Sequence, residues 1–172
     1  MQVAPIRVYE LKKHWKAVEA LAEGESVESI RPGRMPLWNE ICSELGWEKH
    51  LLTDGHFSNK SHGYCGVYRL VGLTSENDLK TPVTLNRVCG QDVTGTLYIG
   101  EAGSLHERLN QIRLSTHDGV KMLNSYSPLK IPLNRLAIAL LFTGRSHRSV
   151  EGDLNHAYIK SFGELPPLNH RI

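Results

Sequence analysis

Apolar positions along this chain follow two different periods, and the change of period divides it. In the first third, Val8, Leu11, Trp15, Val18 and Ala22 recur at steps of three and four, which makes one apolar stripe on a helix. Gly24 is placed to stop it, and Arg31-Pro32-Gly33-Arg34 reads as a turn. Pro36 then opens a second helix at a tolerated first-turn position; Leu37, Ile41 and Leu45 share its face, and Gly46 ends it. Residues 1–60 therefore read as a helical extension packed on the rest. The polar loop from Gly55 to Gly63 is the best internal boundary.

Beyond that loop the pattern turns to strands. Tyr64 to Leu73 is rich in β-formers. A variable stretch follows, Thr74 to Gly95, in which Val83 to Cys89 suits an extra strand and Gln91 to Gly95 a turn. Thr96 to Ile99 reads as a strand. Ser104, with Glu107 three residues later, is a capping-box pattern that starts a helix through about Arg113. Leu136 to Phe142 is a buried strand candidate between Pro132 and Gly144. A last helix spans about Ser149 to Phe162, with Val150, Leu154, Ala157 and Tyr158 inward; Gly163 ends it, and Pro166-Pro167 cannot continue it. The order predicts a small α+β domain over residues 61–172, a short sheet with helices packed on it and an insert at about 74–95.

Composition adds bounds. The 172 residues are 40% apolar and 22% charged, enough for a core and unlike a disordered chain. The net charge of +2 is unevenly spread. Residues 1–60 hold eight Lys and Arg against nine Asp and Glu; residues 61–172 hold twelve against nine, with six of the nine histidines. The basic excess thus lies with the strand-forming part, which suits a polyanion partner. Lys12, Lys13 and Lys16 cluster on the first helix, a basic face open to solvent or to DNA. Cys42, Cys65 and Cys89 have no zinc spacing, and their odd number argues for reduced thiols. Ile131 to Phe142, the most apolar stretch, falls short of the roughly 18 residues of a span. These features predict a cytoplasmic protein with no membrane partner.

The candidate chemistry rests on two glycine-anchored tripeptides, Gly66-Val67-Tyr68 and Tyr98-Ile99-Gly100. If their strands pair, both hydroxyls reach one pocket, and the glycines suggest close approach beside each tyrosine. Arg108 follows Tyr98 by ten residues on the helix leaving the second strand, and guanidinium holds phosphate bidentately. Glu151 lies at the start of the last helix behind Arg145, His147 and Arg148. A lone carboxylate there serves a hard cation, and it is equally favoured by the helix dipole. Asn169 follows the double proline, where its amide can bond a phosphate or orient a neighbour.

Taken together and in this order, these residues resemble the GIY-YIG nuclease family over roughly Gly63 to Asn169. The resemblance implies a three-stranded, mostly antiparallel sheet flanked by helices. It implies metal-dependent endonuclease activity on DNA, of restriction or phage type, by in-line attack of water to leave a 5′-phosphate and a 3′-hydroxyl. Tyr68 would be the base or base relay and Tyr98 its hydrogen-bonding neighbour. Arg108 would hold the scissile phosphate, Glu151 would bind Mg²⁺ or Mn²⁺, and Asn169 would support the geometry. Double-stranded DNA would be the partner, and cutting both strands with one site per chain would favour a homodimer. A structure-selective repair nuclease, or a degenerate GIY-YIG-like nucleic-acid-binding module, are the alternatives.

The chain departs from the family pattern in three places. Tyr68 and Tyr98 lie farther apart than in compact members, so residues 74–95 must form a hairpin or strand of their own. Ile112 stands where many members carry a histidine or tyrosine, leaving His117 or His106 as substitutes. Strict counting back from Tyr158-Ile159 places the family's glutamate at Leu154 or Asn155, one turn beyond Glu151.

Overall fold

A computed structural model describes residues 35–39, 41, 46–54, 61–114, 117 and 131–170. The strands are β1 (Trp47–Leu51), β2 (Gly66–Gly72), β3 (Leu85–Arg87), β4 (Gly90–Asp92), β5 (Thr96–Ala102) and β6 (Leu136–Phe142). Among these residues the α-helices are α1 (Leu105–Arg113) and α2 (His147–Phe162). The protein is α+β. Its main sheet has four antiparallel strands in the order β1-β6-β2-β5, and β3 and β4 form a separate two-stranded sheet.

The most apolar strands took the interior of this sheet. β2 lies between β6 and β5, and all seven of its residues are buried. Strand alternation then splits the core in two. Tyr68 and Leu70 of β2, Ile138 and Leu140 of β6, and Leu105, Leu109 and Ile112 of α1 pack on one face. Val67 and Val71, Ala137 and Ala139, Ile99, and Leu154, Tyr158 and Phe162 of α2 pack on the other. Met35, Trp38, Ile41 and Trp47 join this second cluster.

The capping residues behave as their chemistry requires. Ser104 is extended at φ −136° and its hydroxyl accepts from Glu107 N, which starts α1. Gly163 closes α2 in the left-handed conformation, donating to Ile159 O.

The insert is a hairpin with a polar anchor. Arg69 of β2 is fully buried; it donates to Thr96 Oγ1 at 2.7 Å, Thr94 O at 3.1 Å and Pro36 O at 2.9 Å. Asp92 of β4 accepts from Tyr158 Oη at 2.8 Å and from Thr94 N at 2.7 Å. Burial lowers the Arg69 guanidinium to about 10, with Asp92 and then Tyr158 opposing the shift. This network ties β2, β4, β5, α2 and the segment at Pro36 together.

The edge of β5 is covered by the chain's own tail. Leu168 N donates to Leu97 O at 2.9 Å. One residue on, Ile99 N donates to Asn169 Oδ1 at 2.9 Å, and Asn169 Nδ2 donates to Ile99 O at 2.7 Å. A side-chain amide thereby replaces the strand that would otherwise pair there, and an edge able to recruit another chain is closed.

Two expectations need correction. The first 60 residues are not helical throughout: Trp47–Leu51 is a strand paired with β6, so the sheet has four strands rather than three. The segment carries only five residues, bounded by Gly46 at φ 78° and a turn, too short for helical periodicity to register against. Gln91 to Gly95 is not simply a turn, because Gln91 and Asp92 belong to β4. The helix expected from residues 8–22, with its lysines, lies outside the described residues. Of the helix expected after Pro36, residues 40 and 42–45 lie outside the described residues; residues 36–39 are coil and turn, and Ile41 N donates to Leu37 O at 3.2 Å. Of the hairpin or strand expected within 74–95 the hairpin is present, as are the strand over Leu136–Phe142 and both later helices. Among the described residues no helix is long and apolar enough to cross a membrane.

Candidate functional site

Adjacent strands bring the two tyrosine tripeptides together. In the β2–β5 register Tyr68 stands opposite Gly100 and Leu70 opposite Tyr98, so the tyrosines are diagonal neighbours on one face. Their rings stack with centroids 5.9 Å apart. Gly100 is what permits this. A Cβ there would meet Tyr98 Cε1 at 2.5 Å, Tyr68 Oη at 2.6 Å and Tyr68 Cζ at 2.7 Å. Gly66 plays a similar part at the other tripeptide, where a Cβ would run into Leu141 O and Leu105 Cδ1.

Tyr68 is only 1% exposed, and its hydroxyl lies 2.9 Å from His117 Nε2. The His117 ring meets Tyr68 and Tyr98 edge-on, at 6.0 and 5.2 Å, and is itself buried. Burial, and then Tyr98, push the Tyr68 phenol well above its ordinary range, while Arg108 pulls the other way. Tyr68 is therefore a phenol in the folded protein. In the tautomer with hydrogen on Nδ1, His117 Nε2 is an acceptor for the Tyr68 hydroxyl.

Of the two histidines that could stand in for Ile112, His117 is the one at the tyrosines. His106 bonds Asn110 Nδ2 at 3.1 Å and stacks near His62, with centroids at 4.8 Å. Ile112 itself is buried in the α1 face of the core.

Arg108 is half-buried in α1, and its charge reaches both Tyr68 and Glu151. It lines a cavity of about 220 Å³ with Glu101, Ser104, Glu107 and Gln111. Glu151 is half-buried in α2, within the field of Glu101. Burial first, and Glu101 second, raise the Glu151 carboxyl; the Glu101 main chain, His147 and Arg108 oppose this. Leu154 and Asn155, the positions reached by strict counting, are 3% and 2% exposed and face the interior. Asn169 bonds both main-chain groups of Ile99, the centre of the second tripeptide, through its Oδ1 and Nδ2. This contact is the supporting kind among its two expected roles.

Glu101 escaped the sequence reading, although it follows Gly100 directly. Its carboxylate meets His147 Nε2 at 3.2 Å and Arg148 Nε at 3.9 Å. The available signal was alternation: Glu101 must face away from Tyr98 and Gly100, towards the last helix.

A metal at Glu151 fits the donor chemistry in one form. Among the described residues no three or more His, Cys, Asp or Glu converge as a protein cage. A carboxylate held against its own ionisation by burial and a second carboxylate gains from a cation. Mg²⁺ commonly binds through one or two carboxylates, waters and substrate phosphate.

Family models, curated proteins and solved structures were compared with this chain, and none matches it.

Proposed function

We propose that this protein is a metal-dependent endonuclease of the GIY-YIG type that hydrolyses DNA phosphodiesters. One observation carries the reading. A buried tyrosine hydroxyl lies against a histidine nitrogen, a second tyrosine stacks on its ring, and an arginine and a glutamate lie in its electrostatic field. Pairing of the two tripeptide strands and the helix carrying Arg108 directly after the second support it further.

Phosphodiester hydrolysis needs a proton removed from water and negative charge stabilised on the phosphorus centre. Tyr68 cannot wait as phenolate, since its surroundings hold the proton on. It acts instead as a relay, passing its proton to His117 Nε2 as it takes one from the attacking water. Tyr98 fixes the ring and the hydroxyl direction. Arg108 stays charged and holds the scissile phosphate through its paired N–H groups. Glu151 would hold Mg²⁺ or Mn²⁺, which when bound supplies charge stabilisation for the leaving oxygen. Asn169 keeps Ile99, and with it Tyr98 and Gly100, in register.

The test is cleavage of mixed plasmid DNA with Mg²⁺ or Mn²⁺, followed by sequencing of the cut ends. A discrete site supports a restriction or phage-type role, and the two-strand cut should come from a homodimer. Cuts confined to branches or flaps move the reading to repair. Glu151→Ala should abolish cleavage and keep DNA binding. Binding without cleavage by the unmutated protein overturns the enzyme reading in favour of a binding module.

A further inference from the structure

We propose that Glu101 is a positioning residue for Glu151, clasping the first turn of α2 to the end of β5 through His147. The inference rests on the nuclease reading above.

Glu101 meets this turn directly and acts on the residue just beyond it. Its carboxylate Oε2 lies 3.2 Å from His147 Nε2. Its charge reaches the Glu151 carboxyl. His147 and Glu151 are four residues apart on the helix, so their side chains share one face. The second nitrogen of His147, Nδ1, lies 2.9 Å from Gly144 O. The imidazole is thus held at both ends, by the turn before the helix and by the strand. The second cation near Glu101, Arg148, is 85% exposed and 3.9 Å away, too loosely placed to orient anything.

The clasp has a structural cost that a merely stabilising contact would not need. Glu101 places a second negative charge near Glu151, and both are partly withdrawn from water. Protein alone gains little from two neighbouring carboxylates, whereas a divalent cation is attracted by both. Glu101 also lines the same cavity as Arg108. Alternation on β5 explains how one strand serves both halves of the site. Tyr98 and Gly100 face the relay, and Glu101 faces α2.

The experiment uses the full-length chain with Glu101→Ala, Glu101→Gln, His147→Ala and the Glu101→Ala/His147→Ala double variant. Mn²⁺ binding is read by calorimetry and electron paramagnetic resonance without DNA, and cleavage is followed over a range of metal concentrations. Outer-shell partners of metal ligands are commonly worth about 10–100-fold in affinity or activity. Glu101→Ala and His147→Ala should each weaken Mn²⁺ binding and raise the half-saturating metal concentration by about 10-fold or more. Cleavage at saturating metal should change far less. Glu101→Gln keeps an acceptor for His147 and should recover part of the loss. The double variant should lose no more than the worse single variant, because both act through one contact. Thermal melting of each variant separates unfolding from loss of the clasp, and the isosteric Glu101→Gln serves if the alanine variants do not fold. Unchanged Mn²⁺ affinity in folded Glu101→Ala, or additive losses in the double variant, overturns the inference while the nuclease reading stands. An unmutated protein that neither cleaves DNA nor binds Mn²⁺ overturns both.

Discussion

Replacing Asn169 separates a supporting role from a catalytic one, because its two hydrogen bonds demand an amide. Ile99 offers one donor and one acceptor, and Asn169 answers with Oδ1 at 2.9 Å and Nδ2 at 2.7 Å. A typical intramolecular hydrogen bond contributes about 1 kcal/mol net. Asn169→Ala should therefore cost about 2 kcal/mol, or a fall of about 4–8 °C in Tm for a domain of this size. Asn169→Asp has almost the same shape but replaces the donor with an oxygen. The introduced carboxylate still accepts from Ile99 N, yet its second oxygen faces Ile99 O. Only its protonated form restores the missing donor. The folded-state pKa of the new group is then raised above its unfolded value of about 3.9. A raised folded pKa means stability fully present below the unfolded pKa and lost as pH rises through the folded one. The gap between Asn169→Asp and the unmutated protein should therefore be small in acid and widen towards neutrality, where it should equal or exceed that of Asn169→Ala. Urea denaturation at several pH values measures each gap. A loss below about 0.5 kcal/mol for Asn169→Ala would refute the reasoning, since surface substitutions without special contacts fall in that range. So would an Asn169→Asp gap that does not depend on pH.

Other substitutions test the packing and the relay. Gly100→Ala puts a methyl group into the space of both tyrosine rings, and overpacking of this kind costs about 1–3 kcal/mol; its denaturation midpoint should drop and cleavage should fall with it. Tyr68→Phe removes the hydroxyl that reaches His117, and cleavage at saturating metal should fall by about 10²–10⁴-fold, the usual worth of a positioned proton-transfer group. Asp92→Ala strips the counter-charge from buried Arg69 and should cost about 3–5 kcal/mol in denaturation, more than any surface acid. Glu151 has a raised folded pKa, so its ionisation opposes stability as pH rises; Glu151→Gln should melt higher than the unmutated protein at neutral pH, match it in acid, and not cut DNA.

The elements after residue 60, β4 excepted, were legible because their signals are local. Ser104 with Glu107, Gly163 before two prolines, and the unbroken apolar run of Leu136–Phe142 each act within a few residues. The glycines of the tripeptides also announced close approach, and Gly100 lies under both tyrosine rings. β1 was illegible because five residues, only Trp47 of them fully buried, gain strand identity from pairing with β6, a partner about ninety positions away. His117 could be named only as one of two candidates, since no spacing rule carries a histidine beyond the end of α1 to the hydroxyl of Tyr68.

The amino-acid sequence by itself determined which chemistry was on offer: two tyrosines, an arginine, a glutamate and an asparagine in a fixed order, on elements whose caps and periods are written locally. Tertiary structure decided what each stands beside. It set Tyr68 diagonal to Tyr98, chose His117 over His106, turned Asn169 inward to close a sheet edge, and brought Glu101 to the foot of the last helix. The reason is physical. Capping and periodicity depend on neighbours along the chain, whereas the proton path and the field at a carboxylate depend on neighbours across the sheet, and only strand register fixes those.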